Sequence, residues 1–482
     1  MIRWVLALAL SAAAPSVYAR QVDMADADRI ARIERGMIRA VQLEGGAARS
    51  ESLGEEMARL HVPGVSVAVI RDGEVAWTKG YGRTSEHGPL VTPDTLFQAA
   101  SISKPVTAVA ALRLAEQGRI ALDGDVNAQL GSWRLQVAPP GAVSLRRLLS
   151  HTAGITVHGF DGYAAGAQVP TSRQVLDGAP PANNARVTMA TKPGAAWSYS
   201  GGGYQIVQQL MTDRTGKSFA RLLHDLVLAP AGMTRSRFEQ PLSTALSASA
   251  AMPHDAAGEP VTGGPHTYPE LAAAGLWTTP GDLARFAIAV QRSATGRRGA
   301  LLSQRLATEM LTPGPGRWGL GFEIRDEGGT RSFAHGGANA GYMNYLVADA
   351  SGRNGAVVMT NGDQGSELAH DLIRSIAHEY GWPDFKPIVR RAVALHPATL
   401  DRLVGIYEIG GLGTFAVERD AGGLTLSLRK GHSERLYAAS PTELFVLSQD
   451  ARLLLSSESG PVHGRVVAGS FDLAFTRAPD GG

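Results

Sequence analysis

Two stretches near the start of the chain show the clearest alternation of apolar and polar residues. VSVAVI and EVAWTKGY, within residues 65–81, flank a turn at Asp72-Gly73, and this pattern predicts a β-hairpin. Residues 105–117 are mostly apolar, with a proline in the first turn and Gly118 after the last residue, which predicts a buried helix. A strand pair followed by a buried helix indicates a mixed α/β fold.

The pattern is mostly helical over residues 125–315, where long Gly/Pro loops interrupt it, and strands return beyond that region. One sheet therefore takes strands from both sides of a helical insertion. We predict an α/β sandwich with an all-α subdomain. The other elements predicted for this part are helices at 24–40, 50–60 and 367–380, and strands at 318–325, 330–335, 342–349 and 355–360.

A second domain is predicted after a linker that contains Pro383, Pro387 and Pro397. Beyond the linker, short alternating segments from TFAVERD to FDLAFTR recur at nearly regular spacing, which is typical of a small antiparallel barrel or sandwich. We predict a main domain at residues 20–385 and a C-terminal β-rich domain, a lipocalin-like barrel, at residues 391–482.

The first residues, MIRWVLALALSAAAPSVYAR, have the pattern of an export signal. Arg3 supplies the positive charge, an apolar stretch follows, and Val17-Tyr18-Ala19 is a suitable cleavage site, so we predict a signal peptide at residues 1–19. The alternative is a buried first helix. The apolar run is too short to span a bilayer and no later segment is long enough, so the protein is predicted to be periplasmic or secreted, with no stable membrane span.

Composition narrows the possible functions. The 482 residues are 44% hydrophobic and 19% charged, which is a globular composition with room for two domains. The net charge is +2 and the arginines are scattered, which argues against nucleic acid as a partner. The chain has no cysteine, so disulfides, thiolate metal sites and a cysteine nucleophile are excluded.

Candidate chemistry begins at SISKP, residues 101–105. Ser101 and Lys104 stand at the start of the predicted helix, where residues three apart are neighbours and free N–H groups point at anything bound to the serine. The apolar residues that follow would lower the pKa of a buried lysine. Ser427 and Lys430 have the same spacing, but in a strand they point to opposite faces. From these residues alone, a capping serine with a solvated lysine remains an equal alternative.

Two later stretches bear on that alternative: WSYSGGGYQ at 197–205 contains Tyr199, and RSFAHGGANAG at 331–341 contains His335 at a predicted strand end. With SISKP, their order resembles the serine β-lactamase-like superfamily, which includes class C β-lactamases, D-alanyl-D-alanine peptidases, esterases and D-aminopeptidases. The similarity covers about residues 60–380. Further similar stretches are VPGVSVAVIRDG at 62–73, LLSHTAGI at 148–155, AAAGLWTTPGDLARF at 272–286 and WGLGF at 318–322.

The resemblance implies specific catalytic roles. Ser101 would be the nucleophile and Lys104 its base or proton relay. Tyr199 would be the second proton handler, and which of the two removes the serine proton stays open. The backbone N–H groups of Ser101 and Ala338 would form the oxyanion hole.

The sequence departs from the superfamily at two substrate-binding positions. Tyr-x-Asn is replaced by Tyr199-Ser200-Gly201, and Lys-Thr-Gly is replaced by His335-Gly336-Gly337. By resemblance we assign substrate binding to Gly201 and to residues 335–337. A histidine is only partly charged near neutral pH, which argues against tight binding of penicillins or of a C-terminal D-Ala. A structural role for His335 is the alternative, and for His151 it is the favoured interpretation.

The sequence therefore predicts an exported serine hydrolase that forms an acyl-enzyme with small esters or short peptides, including those with D-residues. One alternative is a cell-wall D,D-peptidase or class C-type β-lactamase, and a second is a penicillin sensor without turnover. The C-terminal domain would restrict substrate size if it lies over the active-site mouth. The chain contains no G-x-S-x-G and no H-E-x-x-H motif, and we predict neither a metal nor a cofactor.

Overall fold

The structure is a computed structural model that describes most of the chain. The predicted signal peptide at residues 1–19 lies outside the described residues, as does Lys430, whereas Ser427 lies on a barrel strand. The described ranges are 24–47, 51–136, 143–409, 413–429, 432–468 and 471–478.

The helices and strands are numbered along the chain. The helices are α1 (Met24–Arg35), α2 (Leu53–Arg59), α3 (Ser103–Glu116), α4 (Val126–Gln129), α5 (Leu145–Leu149), α6 (Ser172–Asp177), α7 (Gly201–Thr215), α8 (Phe219–Leu223), α9 (Thr244–Ser247), α10 (Leu271–Ala274), α11 (Pro280–Ala294), α12 (Gln304–Met310), α13 (Gly365–Glu379) and α14 (Pro397–Leu403). The strands outside the C-terminal barrel are β1 (Val41–Leu43), β2 (Gly64–Arg71), β3 (Glu74–Gly82), β4 (Phe97–Gln98), β5 (Trp277–Thr278), β6 (Glu323–Glu327), β7 (Thr330–Asn339), β8 (Tyr342–Asp349), β9 (Gly355–Thr360) and β10 (Ile388–Arg390).

A six-stranded antiparallel sheet with the order β3-β2-β9-β8-β7-β6 forms the centre of the main domain. One face packs against α3, α7 and α11, and the other packs against α1 and α13, so apolar side chains are buried on both faces. This confirms the predicted α/β sandwich in which the strands on either side of a helical insertion share one sheet.

Two predicted strands have different limits in the structure. Residues 318–322 of the segment 318–325 form a tight turn, in which the N–H of Gly319 donates to Phe322 O at 2.8 Å, so β6 begins only at Glu323. Gly321 has a φ of 103° in this turn, a conformation that favours glycine. In contrast, the strand predicted at 330–335 continues to Asn339, so His335 lies inside β7 and not at its end.

The second half of β7 is the part of the sheet that meets the candidate nucleophile. β7 pairs with β8 from Ser332 to Asn339, whereas its pairing with β6 ends at Ala334. The rest of β7 lies against a 3₁₀ turn at Ala100–Ile102. At Gly337 an added Cβ would lie 2.2 Å from Ala99 O, so only glycine permits this approach.

Two asparagine side chains fix the chain that leads into this turn. Asn344 Nδ2 donates to Gln98 O at 2.9 Å, and Asn339 Nδ2 donates to Gln98 Oε1 at 2.7 Å. Ala100, the residue before Ser101, has a φ of 51°, which a non-glycine residue rarely adopts. The strand edge and its amides therefore hold a strained turn in place.

The C-terminal region forms a closed eight-stranded antiparallel barrel, which confirms the predicted barrel. Tyr407, Phe415 and Phe475 pack together in its core. A cavity beside Phe415 has a volume of about 70 Å³, which is smaller than the roughly 300–1,000 Å³ that ligand sites usually enclose. Its strands are β11 (Gly405–Ile409), β12 (Gly413–Asp420), β13 (Gly423–Arg429), β14 (His432–Ser440), β15 (Glu443–Phe445), β16 (Ala451–Leu455), β17 (His463–Ala468) and β18 (Phe471–Arg477).

The barrel is attached to the main domain through the N-terminal segment. β1 pairs in parallel with β10, and the N–H of Val41 donates to Leu447 O at 3.1 Å. Ala40, Val41 and Phe445 form a small shared core. Within the described part of the chain, no helix is both long and apolar enough to cross a membrane.

Gly337→Ala should move the turn that carries Ser101, because the new methyl group overlaps Ala99 O. We expect a loss of about 1–3 kcal/mol in the free energy of unfolding, the usual cost of overpacking. Gly336→Ala is the matched control, since its Cβ would lie 3.8 Å from the nearest heavy atom, in the ring of Tyr345. Urea unfolding of both variants tests this, and equal losses would contradict the close-approach argument.

Candidate active site

Ser101 and Lys104 lie together at the start of α3, as the helical spacing predicts. Ser101 belongs to the 3₁₀ turn and is partly exposed, whereas Lys104 lies in the first turn of the helix. Lys104 Nζ donates to Ser101 Oγ at 2.9 Å and to Ala273 O at 2.9 Å. The solvated-lysine alternative is therefore wrong.

The Lys104 side chain is almost completely buried. The residue is 2% exposed, and its Nζ lies 5.0 Å from the ring centroid of Tyr199 and 5.8 Å from that of Tyr204. Burial lowers the pKa of Lys104 to about 7, because the charged ammonium loses its hydration. A large fraction of the molecules therefore carry a neutral amine at neutral pH.

Tyr199 lies on the other side of the serine hydroxyl. It is on the loop that precedes α7, and Ser101 is the side chain that interacts with its hydroxyl. Burial raises the pKa of Tyr199 well above that of a free tyrosine, so the phenol stays protonated at neutral pH. The Ser101 hydroxyl thus lies between an amine that can accept a proton and a phenol that can donate one.

The residues that follow Tyr199 have structural contacts. Ser200 Oγ caps α7 by accepting from the N–H of Gly203 at 2.9 Å, and it donates to Thr156 O at 2.8 Å. Gly201 is buried, and a Cβ there would lie 3.0 Å from Phe160 Cε2. An asparagine at this position would therefore have to displace Phe160. A substrate contact at Gly201 stays a prediction.

His335 is buried and uncharged, whereas the sequence predicted partial charge near neutrality. Its Nδ1 donates to Gly336 O at 2.6 Å, which leaves Nε2 without a proton in the neutral ring. Burial and the nearby Lys104 lower the pKa of His335 to about 3. The position of the superfamily's lysine therefore carries no charge at neutral pH. Gly336 and Ala338 are exposed on β7, whereas Gly337 is buried against the turn.

His151 supports Tyr199 and was predicted to have a structural role. Its Nδ1 accepts a hydrogen bond from the N–H of Ser200 at 3.1 Å, and its ring centroid lies 4.2 Å from that of Tyr199. Burial holds the pKa of His151 well below its usual value, so the ring stays neutral. This contact orients the tyrosine loop.

Two tryptophans line the same site and were not singled out in the sequence. The ring centroids of Trp197 and Trp318 are 5.6 Å apart. Trp318 also lies 5.7 Å from Tyr199 and 5.4 Å from His335. Trp197 belongs to WSYSGGGYQ and Trp318 to WGLGF, so the signal was present, but only the fold shows that the two rings pack against each other.

A serine between a buried lysine and a tyrosine, beside an antiparallel sheet edge, defines the class of serine hydrolases that includes the β-lactamases. The profile of the Beta-lactamase family matches residues 50–380, and the chain belongs to that family. This confirms the resemblance drawn from the motifs.

Curated relatives include a D-aminopeptidase and a penicillin-binding protein. The D-aminopeptidase of Gluconobacter oxydans (strain 621H) is 30% identical over 367 residues, which cover 72% of this chain and 65% of that protein. The chain thus spans just under two thirds of that relative's length. Penicillin-binding protein 4 of Amycolatopsis lactamdurans is 27% identical over 375 residues, which cover 72% of this chain and 93% of that protein.

Solved structures with the same fold include an octameric penicillin-binding protein homologue from Pyrococcus abyssi and a D-amino acid amidase from Ochrobactrum anthropi SV3. The first has a TM-score of 0.61 and 23% identity, over 88% of this chain and 98% of that one. The amidase has a TM-score of 0.56 and 21% identity, over 68% of this chain and 94% of that one. At these identities the likeness shows the fold alone.

We expect the Lys104→Met variant to keep the fold and to have a higher free energy of unfolding than wild type below pH 7. In the unfolded chain the lysine titrates near 10.5, and in the folded protein near 7, so between these values the unfolded state binds more protons and stability rises with pH. Removing the buried charge should raise the free energy of unfolding by a few kcal/mol at pH 6, since each pKa unit is worth about 1.4 kcal/mol.

The gain should shrink as pH approaches 10.5, where wild type carries no penalty. The control is Lys192→Met, which removes an exposed cation. Urea unfolding at pH 6 and pH 9 measures the difference. A Lys104→Met variant that is less stable than wild type at pH 6 would contradict the buried-amine interpretation.

Proposed function

We propose that the protein is a serine hydrolase that forms an acyl-enzyme with short peptides, amides or small esters, and that an N-terminal D-amino acid is its preferred acyl group. The observation that carries this proposal is the 2.9 Å contact between Ser101 Oγ and a lysine amine whose pKa is lowered to about 7. This contact supplies a base at neutral pH where an ordinary lysine would be protonated.

In the first half of the reaction, neutral Lys104 takes the proton of Ser101 as Oγ attacks the carbonyl carbon. The oxyanion accepts hydrogen bonds from the backbone N–H groups of Ser101 and Ala338. Tyr199 stays protonated at neutral pH and donates its proton to the leaving nitrogen or oxygen, and the proton on Lys104 reprotonates the phenolate. The products are the ester on Ser101 and the free amine or alcohol.

In the second half, a water attacks the ester on Ser101. Lys104 and Tyr199 again transfer the protons, and the acid product leaves as Oγ is reprotonated. Lys104 is assigned as the base because burial lowers its pKa toward neutral pH. Tyr199 is assigned as the proton donor because burial raises its pKa further above neutral pH.

The surroundings of the serine support an uncharged group beside the scissile bond. His335 is neutral, and Trp197, Trp318 and Tyr199 form apolar walls. The similarity to a D-aminopeptidase supports D-aminoacyl substrates. The similarity to penicillin-binding protein 4 supports acylation by penicillin as a second candidate activity, and the missing cation at His335 weighs against it.

The proposal includes export to the periplasm or the medium. It is supported by the signal-like residues 1–19 and is compatible with a chain without cysteine, which has no thiol to be oxidised after export.

Ser101→Ala should lower kcat for a D-alanine anilide and for a short-chain nitrophenyl ester by about 10³-fold or more, because the nucleophile is lost. Ser427→Ala, in the other Ser-x-x-Lys segment, is the matched control and should retain wild-type rates. Both substrates are followed by absorbance. Unchanged hydrolysis in Ser101→Ala would refute the nucleophile assignment.

The mass of wild-type protein exposed to penicillin distinguishes the proposed hydrolase from a protein that is acylated by penicillin and stays acylated. Intact mass after brief exposure to penicillin should show no lasting adduct, because Tyr199 and Lys104 remain available for deacylation. A stable adduct on Ser101 with no anilide hydrolysis would instead identify a penicillin sensor.

The value of kcat/KM should rise with pH and level off, with one midpoint near pH 7, because the neutral form of Lys104 is the active one. His335 titrates near 3 and should add no second step between pH 5 and pH 9. Initial rates of nitrophenyl-ester hydrolysis in constant-ionic-strength buffers measure this profile, because a short-chain ester has no α-amino group that would add its own titration. A rate independent of pH from 6 to 8 would exclude Lys104 as the base.

A further inference from the structure

A cavity of about 700 Å³ lies between the main domain and the barrel, where Arg317, α13 and the barrel turn at residues 448–450 form its walls. Sites for small ligands usually have this size. Because the cavity is lined from both domains, it exists only when the barrel is docked.

The cavity adjoins the active-site strand on two sides. Arg317 directly precedes Trp318, whose ring lies 5.4 Å from that of His335. On the other wall, the ring of His370 lies 4.4 Å from that of Tyr345, which pairs with Gly336 across β7 and β8. The Arg317 wall therefore lies next to the active-site strand, whereas the His370 wall lies on the sheet face that packs against α13.

The carboxylates in the cavity wall already have partners, whereas two cations are held loosely. Arg317 is 63% exposed, and its nearest carboxylate oxygen, on Glu323, is 3.5 Å away. Lys386 is exposed and forms no ion pair with any residue that the structure describes. Arg317 and Lys386 are therefore the two lining cations that no carboxylate holds closely. The paired carboxylates are Glu327 with Arg325, Glu367 with Arg59, Asp450 with Arg390, and Asp363 with the N–H of Gly341.

The turn that carries Arg317 and the barrel turn are both held in place by local contacts. Arg317 has a φ of 61°, and the preceding Gly316 packs on the Trp197 ring so closely that a Cβ would lie 2.5 Å from it. On the barrel side, Arg390 Nη2 donates to Asp450 Oδ1 at 2.8 Å. Arg317 is thus presented from a fixed backbone position.

We propose that this cavity binds the terminal carboxylate of a peptide leaving group, with Arg317 and Lys386 as its cations. The inference rests on the proposed hydrolase function. A carboxylate on the residue next to the scissile bond would meet neutral His335, whereas one that is two or more residues away reaches the cavity. The site therefore favours peptides that release at least a dipeptide with a free carboxylate, and it disfavours removal of a single C-terminal residue.

The test compares D-alanyl-glycyl-glycine with the same peptide amidated at its C-terminus. Wild type should have a higher kcat/KM for the free carboxylate, mainly through a lower KM, and 0.5 M NaCl should reduce the preference. Lys386→Met and Arg317→Gln should each lower the ratio of the two kcat/KM values by about twofold to fivefold, the range for exposed ion pairs. Lys192→Met, which removes an exposed cation elsewhere, should leave the ratio unchanged.

Equal kcat/KM values for the two peptides in wild type would overturn the subsite, as would an unchanged ratio in both variants. Hydrolysis of a D-alanine anilide separates this failure from failure of the proposed function, since the anilide has no carboxylate. If wild type cleaves neither peptide nor anilide, binding of the two peptides to Ser101→Ala by calorimetry still decides the subsite, and equal affinities would refute it.

The barrel wall has its own test. Gln449 lines the cavity, and Gln449→Trp should fill part of it. We expect the kcat/KM of the tripeptide relative to that of the anilide to fall by about fivefold or more, which corresponds to about 1 kcal/mol. An unchanged ratio would show that the leaving group does not enter the space beside the barrel.

Discussion

Burial of one lysine amine against one serine hydroxyl is the constraint on which the active site depends. An ammonium ion is costly to place among apolar side chains, and the cost is reduced only when the proton leaves. Lys104 donates hydrogen bonds to Ser101 Oγ and Ala273 O, but within the described ranges no carboxylate forms an ion pair with its amine. Burial of Lys104 destabilises the folded protein when the amine is charged, and the same burial provides a neutral amine that can act as a base near pH 7. Stability is therefore lower at the position where reactivity is needed.

The rest of the main domain keeps this contact in place. The second half of β7 has no strand partner from β6 and instead packs against the turn that carries Ser101. Gly337 permits the approach, and the amides of Asn339 and Asn344 bind the preceding Gln98. The positive φ of Ala100 is stable only because these contacts fix the turn on both sides.

Local patterns in the sequence predicted most of the fold. The hairpin, the buried helix behind SISKP and the strands at 342–349 and 355–360 follow from alternation and turn residues, which act over a few positions. The predicted end of β7 was wrong because glycine and alanine do not contribute to an alternation of apolar and polar residues. The side chains of HGGAN are too small and too mixed in polarity to indicate a strand. The tight turn at 318–322 was missed because its φ values follow from tertiary packing around Gly321.

The site was predictable as a set of motifs but not as an electrostatic environment. Spacing placed Ser101 beside Lys104, and the resemblance added Tyr199, yet the loss of charge on His335 depends on burial that no local pattern reports. Likewise, the tryptophan walls come from segments about 120 residues apart, and the cavity beside the barrel needs both domains. The proposed substrate preference rests on these features, which explains why the sequence specifies the reaction better than the molecule it acts on.

The most direct test of the buried-amine account is the pKa of Lys104 itself, measured by NMR in protein labelled with [¹³C]lysine. The chain has only six lysines, so the Cε signal of Lys104 can be assigned from the one that disappears in a Lys104→Arg variant. The account predicts a titration midpoint at about 7. A midpoint near the 10.5 of a free lysine would contradict it, because Lys104 would then be a fixed cation and could not serve as the base for Ser101.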